Sequence, residues 1–514
     1  MTLNIQSLLN SQQQRETERD VPAINMDILS WLIILSLLFL CLWKSQRPKG
    51  FPPGPWSLPL IGNLLQFSKK EPLKDLDQLA QKYGPVFSLY FGGKLAVFTH
   101  GFSSAKEVLV TKGLEFAGRP DNPILDYIVK KKGIISAPYG QAWKEQRRFS
   151  LMLLRNFGLG KKSMEEKILQ EATCLIEAFA ENSGAPFDPQ PFLETAVSNI
   201  MSSILFGKRF ENDKSPLMTV LDVLHQNHKM LMGPWAMLYN AVPLVRRLPL
   251  PHQRILTNAQ KLFALVEKEV EEHKAMFIPG ETRDFIDAYL EEIKKAKREG
   301  SSFEEEQLQV LLLDLLSAGS ETTAGTLRWA LLYLVAFPEI QEKCQKEIDS
   351  FLGSNSNLQF EDREKLPYTN AVIHEIQRCT TVSPFGAPHT PIQNAQLWGY
   401  QIPKGTTIFI NLHSVHHDES QWKFPHEFNP SNFLNAKGEF VKPEAFLPFS
   451  AGPRVCLGEN LARMELFLFL TSILRSFQVS WPDVSQAPDL TPNFGLTQLP
   501  SSFKISMKNR QEIN

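Results

Sequence analysis

A cysteine near the C-terminus stands in a segment that could present its sulfur to a metal ion. The segment from Phe449 to Gly458 reads Phe-Ser-Ala-Gly-Pro-Arg-Val-Cys-Leu-Gly, and Gly452 suits a tight turn or a close approach of the backbone to a flat ligand. Arg454 places a permanent cation shortly before Cys456. The following sequence favours a helix, whose N-terminus would stabilise a thiolate. A buried structural cysteine is the alternative.

A second candidate for chemistry lies inside the longest helix that the sequence predicts. This helix extends from about Phe303 to Phe337. Ser302 and Glu305 have the spacing of a capping box at its start, and Pro338 would end it. Such a helix has the length of a whole domain, so it should form the centre of the fold.

Positions 318–323 of that helix read Ala-Gly-Ser-Glu-Thr-Thr. Glycine and β-branched threonine are poor helix formers, so we expect a loosened hydrogen-bond ladder and a small groove here. Glu321 and Thr322 would place a carboxylate and a hydroxyl beside the groove, where they could deliver protons. The simpler alternative is a threonine that bonds back to a helix carbonyl and a glutamate that reaches solvent.

Together these motifs resemble those of the cytochrome P-450 superfamily, the haem-thiolate monooxygenases. Phe-x-x-Gly-x-Arg-x-Cys-x-Gly is similar to their haem-ligand motif, and Ala-Gly-x-Glu-Thr-Thr to their oxygen-activation motif. The resemblance implies that Cys456 is the axial thiolate ligand to the iron of haem b, iron protoporphyrin IX, and that it promotes O–O cleavage. It also implies that Thr322 hydrogen-bonds bound dioxygen and that Glu321 helps to supply protons.

The resemblance further implies a fold and a set of cofactor contacts. The expected fold is mainly α with small β-sheets, with the haem between the long central helix and the cysteine loop. Haem carries two propionates, which need donors or cations when buried. Seven residues match the family's cofactor contacts by position: Ala318, Phe449, Arg119, Trp143, Arg147, His389 and Arg454. The last five of these match contacts with the propionates. Taken singly, each of the last five is an ordinary Arg, Trp or His.

Glu375 and Arg378 lie one helical turn apart. An exposed pair of this kind would contribute only a few tenths of a kcal/mol. Their segment, however, resembles the family's Glu-x-x-Arg helix, whose ion pair supports the haem-binding core. The family's usual third partner is an arginine, and this chain has Asn432 at that position. We therefore expect a neutral hydrogen bond in place of a three-membered ion network.

The chain divides unevenly along its length. Residues 1–27 are polar, and 28–43 are almost wholly apolar, long enough as a helix for roughly 24 Å. The basic flank that follows predicts a single-pass anchor with the bulk of the chain in the cytoplasm, and a cleaved signal peptide is the alternative. Residues 44–59 form a basic, proline-rich hinge. Residues 60–514 read as one haem-binding monooxygenase domain, with strands expected at 86–91 and 94–99.

Composition and motifs indicate which kinds of molecule the chain could bind. The 514 residues carry a net charge of −1, so nothing points to nucleic acid. The five cysteines have no CxxC spacing, which suits a reducing compartment. We find no dinucleotide-binding motif after a strand, so electrons must come from another protein. The resemblance implies an NADPH-dependent flavoprotein reductase on the same endoplasmic reticulum membrane, with cytochrome b5 as a further candidate and lipid as a contact.

The resemblance is greatest to the vertebrate microsomal family two, which oxidises drugs and polyunsaturated fatty acids. The long polar lead before the anchor favours its arachidonate-epoxidising branch. The expected function is epoxidation or hydroxylation of lipophilic substrates with O₂; the alternatives are a haem-thiolate peroxide isomerase and a non-catalytic haem-binding protein. Neither alternative needs the acid–alcohol pair. The residues expected to line the apolar substrate pocket are Leu315, Ala318, Val382, Ala387 and Leu496.

Overall fold

The computed structural model describes residues 31 and 36 and most of the chain from 47 to 510. The gaps in that range are 59–61, 69–70, 92, 157–161, 211–215, 232, 296–300, 354–356 and 484. The predicted anchor at 28–43 therefore lies almost wholly outside the described residues. Within the described part of the chain, no helix is both long and apolar enough to cross a membrane. The anchor stays a prediction.

Helices make up most of the described chain. In chain order they are α1 (Pro72–Tyr83), α2 (Phe102–Lys106), α3 (Pro123–Val129), α4 (Gln141–Asn156), α5 (Lys162–Glu181), α6 (Gln190–Leu205), α7 (Pro216–Leu231), α8 (Pro234–Ala241), α9 (His252–Ala275), α10 (Phe285–Lys295), α11 (Glu305–Ala336), α12 (Pro338–Leu352), α13 (Pro367–Thr380), α14 (Leu412–His416) and α15 (Glu459–Ser476). A π-helical turn, Glu107–Thr111, continues α2.

The strands are short and form small sheets. They are β1 (Val86–Phe91), β2 (Lys94–Thr99), β3 (Ala395–Leu397), β4 (Tyr400–Ile402), β5 (Thr407–Ile410), β6 (Phe477–Ser480), β7 (Pro492–Asn493), β8 (Leu499–Pro500) and β9 (Ser506–Asn509). β2 pairs antiparallel with β1 and parallel with β5, while β3–β4, β6–β9 and β7–β8 are antiparallel pairs. The bounds of β1 and β2 are those predicted, and the predicted mainly helical architecture with small sheets is confirmed.

The central helix α11 packs against α6, α9, α13 and α15, and most of its side chains are buried. Its ends lie within two residues of the predicted ones. The predicted capping box is wrong, because Glu304 is the N-cap and its side chain makes no capping hydrogen bond. Ser302 instead donates to Oε2 of Glu145 at 2.8 Å. The Ser302 hydroxyl, which the local pattern predicts to cap α11, thus bonds to a residue distant in sequence.

The loosened segment predicted at 318–323 is also absent, because α11 is an unbroken α-helix through these residues. Gly319 meets a different need. A Cβ at this position would lie 2.5 Å from the sulfur of Met201 on α6, so the glycine allows the two helices to approach closely. Gly319 lowers the intrinsic helix propensity of this segment, but it allows α11 to pack closely against α6. This packing stabilises the helix more than the low propensity of glycine destabilises it.

Candidate functional site

The cysteine loop folds back on itself and leads into α15. The N–H of Cys456 donates to the carbonyl oxygen of Phe449 at 3.0 Å. Gly452 has a φ of 73°, and a Cβ there would lie 1.8 Å from the carbonyl oxygen of Leu109. The turn therefore requires glycine. The close approach that the sequence predicts is made to the protein's own backbone.

Cys456 lies beside the N-terminus of α15 and its side chain is exposed. Although the side chain is accessible to solvent, many atoms of the chain surround the thiol, and this desolvation is the largest influence on its pKa, which it raises. Hydrogen bonds from the N–H groups of Gly458 and Glu459 and the nearby Arg147 cation act in the opposite direction. The expected stabilisation of a thiolate is thus present but smaller than the effect of burial. Binding a metal ion would replace the proton and reverse this balance.

Trp143 stands between two arginines beside the loop. The guanidinium carbon of Arg454 lies 4.1 Å from the centroid of the Trp143 ring, and that of Arg147, one turn further along α4, lies 5.5 Å from it. The indole N–H donates to the carbonyl oxygen of Ile134 at 3.0 Å. Trp143 and Arg147 therefore share one face of α4, and the fold brings Arg454 to the same place.

Arg119, Arg147 and Arg454 form a cluster of cations without a carboxylate partner among the described residues. Their hydrogen bonds go to backbone carbonyl oxygens, such as that of Ala117, which accepts from Arg454 Nε at 2.8 Å. Burial and mutual repulsion lower the pKa of Arg119 to about 10 and that of Arg454 to about 9. We refer to these three residues as the arginine cluster. Its chemistry calls for an anionic ligand.

His389 lies against the arginine cluster as a neutral side chain. Burial and the positive charge of Arg119 lower its pKa to about 3. Its Nδ1–H donates to the carbonyl oxygen of Phe116 at 2.8 Å. This hydrogen bond fixes the ring and leaves Nε2 of the neutral imidazole as a hydrogen-bond acceptor.

Residues from three distant parts of the chain meet near the middle of α11. Ala318 is exposed although it lies halfway along a helix whose residues are mostly buried, Leu315 among them. The turn between β7 and β8 carries Leu496 and approaches the segment 382–387, where the N–H of Gln498 donates to the carbonyl oxygen of Val382 at 2.7 Å. The rings of Phe385 and Phe494 are 6.2 Å apart. The segment that contains Ala387 is thus joined to the β7–β8 turn.

Thr322 and Glu321 make different contacts on α11. Thr322 Oγ1 donates to the carbonyl oxygen of Ala318 at 2.7 Å, as in the simpler interpretation of the sequence. Glu321 does not simply reach solvent: Oε2 accepts from His228 Nδ1 on α7, and Oε1 accepts from Thr497 at 2.8 Å. Burial raises the pKa of Glu321, but the His228 hydrogen bond and charge outweigh burial, so the pKa is lowered. Sequence reasoning missed His228, because no motif links α7 to α11.

Glu375 and Arg378 are paired inside the protein, not at its surface. Both side chains are fully buried, with Arg378 Nε 2.7 Å from Oε2 and Nη2 2.8 Å from Oε1 of Glu375. Asn432 Nδ2 donates to Glu375 Oε1 at 3.0 Å, which is the neutral hydrogen bond expected from the sequence. The N–H of Asn429 donates to the same oxygen at 2.8 Å. The charge of the pair is balanced within the chain.

Comparison with known proteins decides the family. The family model described as Cytochrome P450 matches residues 52–507. The chain belongs to the cytochrome P450 family. Cytochrome P450 2J2 of Homo sapiens is 45% identical to it over 464 residues, which are 90% of this chain and 92% of that protein. Cytochrome P450 2F2 of Rattus norvegicus is 42% identical over 483 residues, 93% of this chain and 98% of that protein.

This P450 is therefore a monooxygenase that binds haem b, as the sequence implied. Its residues fit the group. The arginine cluster offers three cations that no described carboxylate neutralises, and haem brings two propionates. An exposed cysteine beside N–H groups that already donate to its sulfur suits a thiolate ligand.

A further relative is also a family-two protein. Cytochrome P450 2J1 of Oryctolagus cuniculus is 45% identical over 473 residues, 91% of this chain and 93% of that protein.

Proposed function

We propose that this P450 is a membrane-anchored enzyme that epoxidises or hydroxylates lipophilic substrates, both polyunsaturated fatty acids such as arachidonic acid and xenobiotics. Electrons would come from an NADPH-dependent flavoprotein reductase, with cytochrome b5 as an additional donor. Residues 28–43 would anchor the chain in the endoplasmic reticulum membrane, and 60–514 would form the catalytic domain on the cytoplasmic side, joined by the hinge at 44–59. The observation that carries the enzymatic part is the arginine cluster beside an exposed cysteine.

The cofactor contacts in this proposal combine the family resemblance with the charges at the site. Haem, when bound, supplies the iron at which O₂ is activated. Cys456 would be its axial thiolate ligand, and the arginine cluster would hold the propionates through its N–H donors. Trp143 and His389 would join them once the indole N–H exchanges Ile134 for a propionate and His389 gains a proton beside the carboxylates. Phe449 and Ala318 would be small or apolar contacts for the macrocycle. Glu375 and Arg378 would act at a distance, by holding the segment that carries Asn429 and Asn432 in place.

The acid–alcohol pair would control protons. Glu321 is held as a carboxylate by His228, so it can accept a proton and pass it on. Thr322 donates its hydroxyl proton to Ala318, which leaves its oxygen lone pairs free to accept a hydrogen bond from water or ligand. The two residues lie next to each other on a regular helix. Their position is therefore fixed by the packing of α11.

Substrate preference would rest on apolar side chains. Leu315, Val382, Ala387 and Leu496 have no charged group that could orient a substrate. An apolar pocket discriminates weakly between similar chains, by about 1–3 kcal/mol for a methylene. We therefore expect several products from one fatty acid. The relatives named above support family two, within which the fatty-acid preference is the proposal.

Reconstitution of the full chain with haem, the flavoprotein reductase and NADPH tests the proposal. Arachidonic acid and drug-like probes should give oxygenated products that require NADPH. Cys456→Ser should abolish the strongly red-shifted Soret band of the ferrous–CO complex, whereas Cys174→Ser, at a half-buried cysteine of α5, should keep it. Thr322→Ala should bind haem but release hydrogen peroxide in place of product. A retained band in Cys456→Ser would refute the ligand assignment, and oxidation of the drug-like probes alone would refute the fatty-acid preference.

A further inference from the structure

A small cavity lies between α6, α7 and α11, next to Glu321. Its volume is about 20 Å³, room for about one water molecule, and the residues that line it are two carboxylates, two histidines, three serines and two leucines. His225 and His228 come from α7, Glu194 from α6, and Glu321 from α11. No part of the site described above uses His225 or Glu194. The cavity therefore contains ionisable groups whose presence has no explanation so far.

The two oxygens of Glu321 face different histidines. Oε2 accepts a hydrogen bond from His228 Nδ1. Oε1 lies 3.7 Å from His225 Nε2, which is itself 4.0 Å from Oε1 of Glu194. The latter distances are too long for direct hydrogen bonds and suit a bridging water. Both imidazoles can thus exchange a proton with the same carboxylate, one of them directly.

Exposure to solvent increases step by step away from α11. The side chain of Glu321 is 11% exposed, that of His228 is 19% exposed and that of His225 is 31% exposed. The carboxylate is nearly enclosed, whereas the imidazoles reach toward bulk water. A proton on either histidine therefore has a short path from solvent to Glu321.

Two serine hydroxyls support the presence of water in the cavity. Ser198 Oγ and Ser320 Oγ are buried and have no hydrogen-bond partner among the described residues. Buried polar groups are almost always paired, and ordered water satisfies those that the protein does not. Ser317 Oγ lies 3.0 Å from His228 Nε2, so the ring of His228 is held on both sides. The cavity is polar enough to hold water against both histidines.

The charges around the two histidines of α7 come from α6 and α11. α6 contributes Glu194, whose pKa burial raises, and α11 contributes Glu321 and Arg328, the latter near enough to Glu194 to oppose that rise. The β7–β8 turn contributes the neutral Thr497. Two carboxylates thus face two imidazoles in this cavity. Histidine is the side chain whose ordinary pKa lies nearest to physiological pH.

We propose that His228 and His225 are positioning residues that carry protons from solvent to Glu321. This inference rests on the role of Glu321 under the proposed function. In each transfer, the N–H bond of a protonated His228 breaks, an O–H bond to Glu321 Oε2 forms, and the neutral imidazole takes its next proton from solvent water. His225 supplies Oε1 through a water molecule. No electrons move in these steps; they come from the reductase.

The test compares His228→Gln and His225→Gln with His100→Gln in the holoenzyme. Glutamine keeps a hydrogen-bonding group but cannot carry a proton at neutral pH. His100 is a matched control, because it is 28% exposed, bonds to Asp77 Oδ1 at 3.0 Å and lies far from α11 in the chain. Two quantities are measured across pH: NADPH consumed per product, and the infrared absorption of the Glu321 carboxyl in the resting enzyme, identified as the band lost in Glu321→Gln.

We expect His228→Gln to raise the pH at which Glu321 takes up a proton, because the hydrogen bond and charge of His228 that lower the pKa of Glu321 are gone. NADPH consumed per product should rise about tenfold, less than the roughly 10²-fold contributed by a positioned acid, since water takes over part of the transfer. Coupling should also depend less on pH than in the wild type. His225→Gln should have a smaller effect in the same direction, and His100→Gln none.

Several outcomes would overturn the inference. If both histidine variants keep wild-type coupling and its pH dependence, the histidines only hold α7 against α11, even if the infrared midpoint moves. If the histidine variants are coupled normally while Glu321→Gln is not, the inference fails and the proposed role of Glu321 stands. If Glu321→Gln is itself fully coupled, the proposed role of Glu321 fails as well. Should His228→Gln give no ferrous–CO band, His225→Gln decides the question, because His225 forms no hydrogen bond to Glu321 that folding depends on.

Discussion

Arginines at two places in this P450 differ in how their charge is balanced. Arg378 is fully buried and has two nitrogens within 2.8 Å of Glu375 oxygens, and this contact raises its pKa although burial opposes the rise. The arginine cluster, Arg119, Arg147 and Arg454, donates to backbone carbonyl oxygens; burial lowers the pKa of all three, and repulsion lowers those of Arg119 and Arg454 further. The pair of Arg378 with Glu375 is neutral as a unit, whereas the arginine cluster is positive.

This difference in charge balance distinguishes an arginine that stabilises the fold from arginines that can bind a ligand. A buried cation paired inside the chain needs no ligand, and removing its partner leaves an uncompensated charge. A cation that faces only carbonyl dipoles still attracts an anion, so binding a dianionic group relieves the repulsion within the cluster. The same residue type therefore stabilises the fold at one place and binds the cofactor at the other. Substitutions at the two places should therefore have different effects on stability and on haem binding.

Arg378→Ala should have the largest effect. It leaves Glu375 buried without its cation, which costs about 3–5 kcal/mol in comparable cases. The urea midpoint of unfolding, followed by circular dichroism, should fall strongly and the yield of haem-loaded protein with it. Lys346→Ala is the control, because its i,i+4 pair with Glu342 is exposed and should change stability by less than about 0.5 kcal/mol. Similar small losses in both variants would mean that the buried pair is not essential.

Glu465 shows a third way to accommodate a buried ionisable group, because it keeps its proton. It is buried on α15, one of its oxygens has no hydrogen-bond partner in the described part of the chain, and burial raises its pKa to about 8 from an ordinary value near 4.5. Between those values the unfolded chain is ionised and the folded one is not. Stability should therefore decrease as pH rises, by about 2 kcal/mol from pH 6 to pH 8.

Glu465→Gln should remove this loss, because the amide cannot ionise. The measurement is the free energy of unfolding in urea at a series of pH values, for the wild type and the variant. Glu439→Gln, at an exposed glutamate, should keep the wild-type dependence. Parallel curves for Glu465→Gln and wild type would show that Glu465 is ionised in the folded protein.

Arg147→Gln tests the unbalanced cluster and should have the smallest effect on stability. Haem should transfer to apomyoglobin about tenfold faster, equivalent to about 1.4 kcal/mol, because one propionate donor loses its charge. The unfolding midpoint of the haem-free chain should stay the same or rise, since repulsion with Arg119 and Arg454 is relieved. Arg155→Gln, at the exposed end of α4, should change neither quantity. A destabilised haem-free chain with a normal rate of haem transfer would show that Arg147 stabilises the fold and does not hold haem.

Local patterns predicted much of the fold. The bounds of β1 and β2, the extent of α11, the turn at Gly452 and the helix after Cys456 all follow from periodicity and from residues with restricted backbone preferences. The neutral hydrogen bond from Asn432 followed from the family motif and one substitution in it. These features depend on residues near one another in sequence, or on a motif that fixes their spacing.

Predictions that depended on distant contacts were wrong or missing. Ser302 was expected to cap α11, but it bonds to Glu145. Gly319 was expected to loosen α11, but it packs against Met201 instead. His228 was not found at all, because its partner Glu321 lies on another helix and the two histidines of α7 belong to no known spacing.

Residue types and their spacing set the chemistry available to this protein: a cysteine in a glycine-containing turn, an acid and an alcohol on a long helix, and a set of cations. Which of the charges are balanced, and which remain for a ligand, depends on how distant segments pack. Residue type and local backbone preference are encoded within a few positions of the chain, whereas burial, dielectric environment and charge pairing depend on segments that meet only after folding.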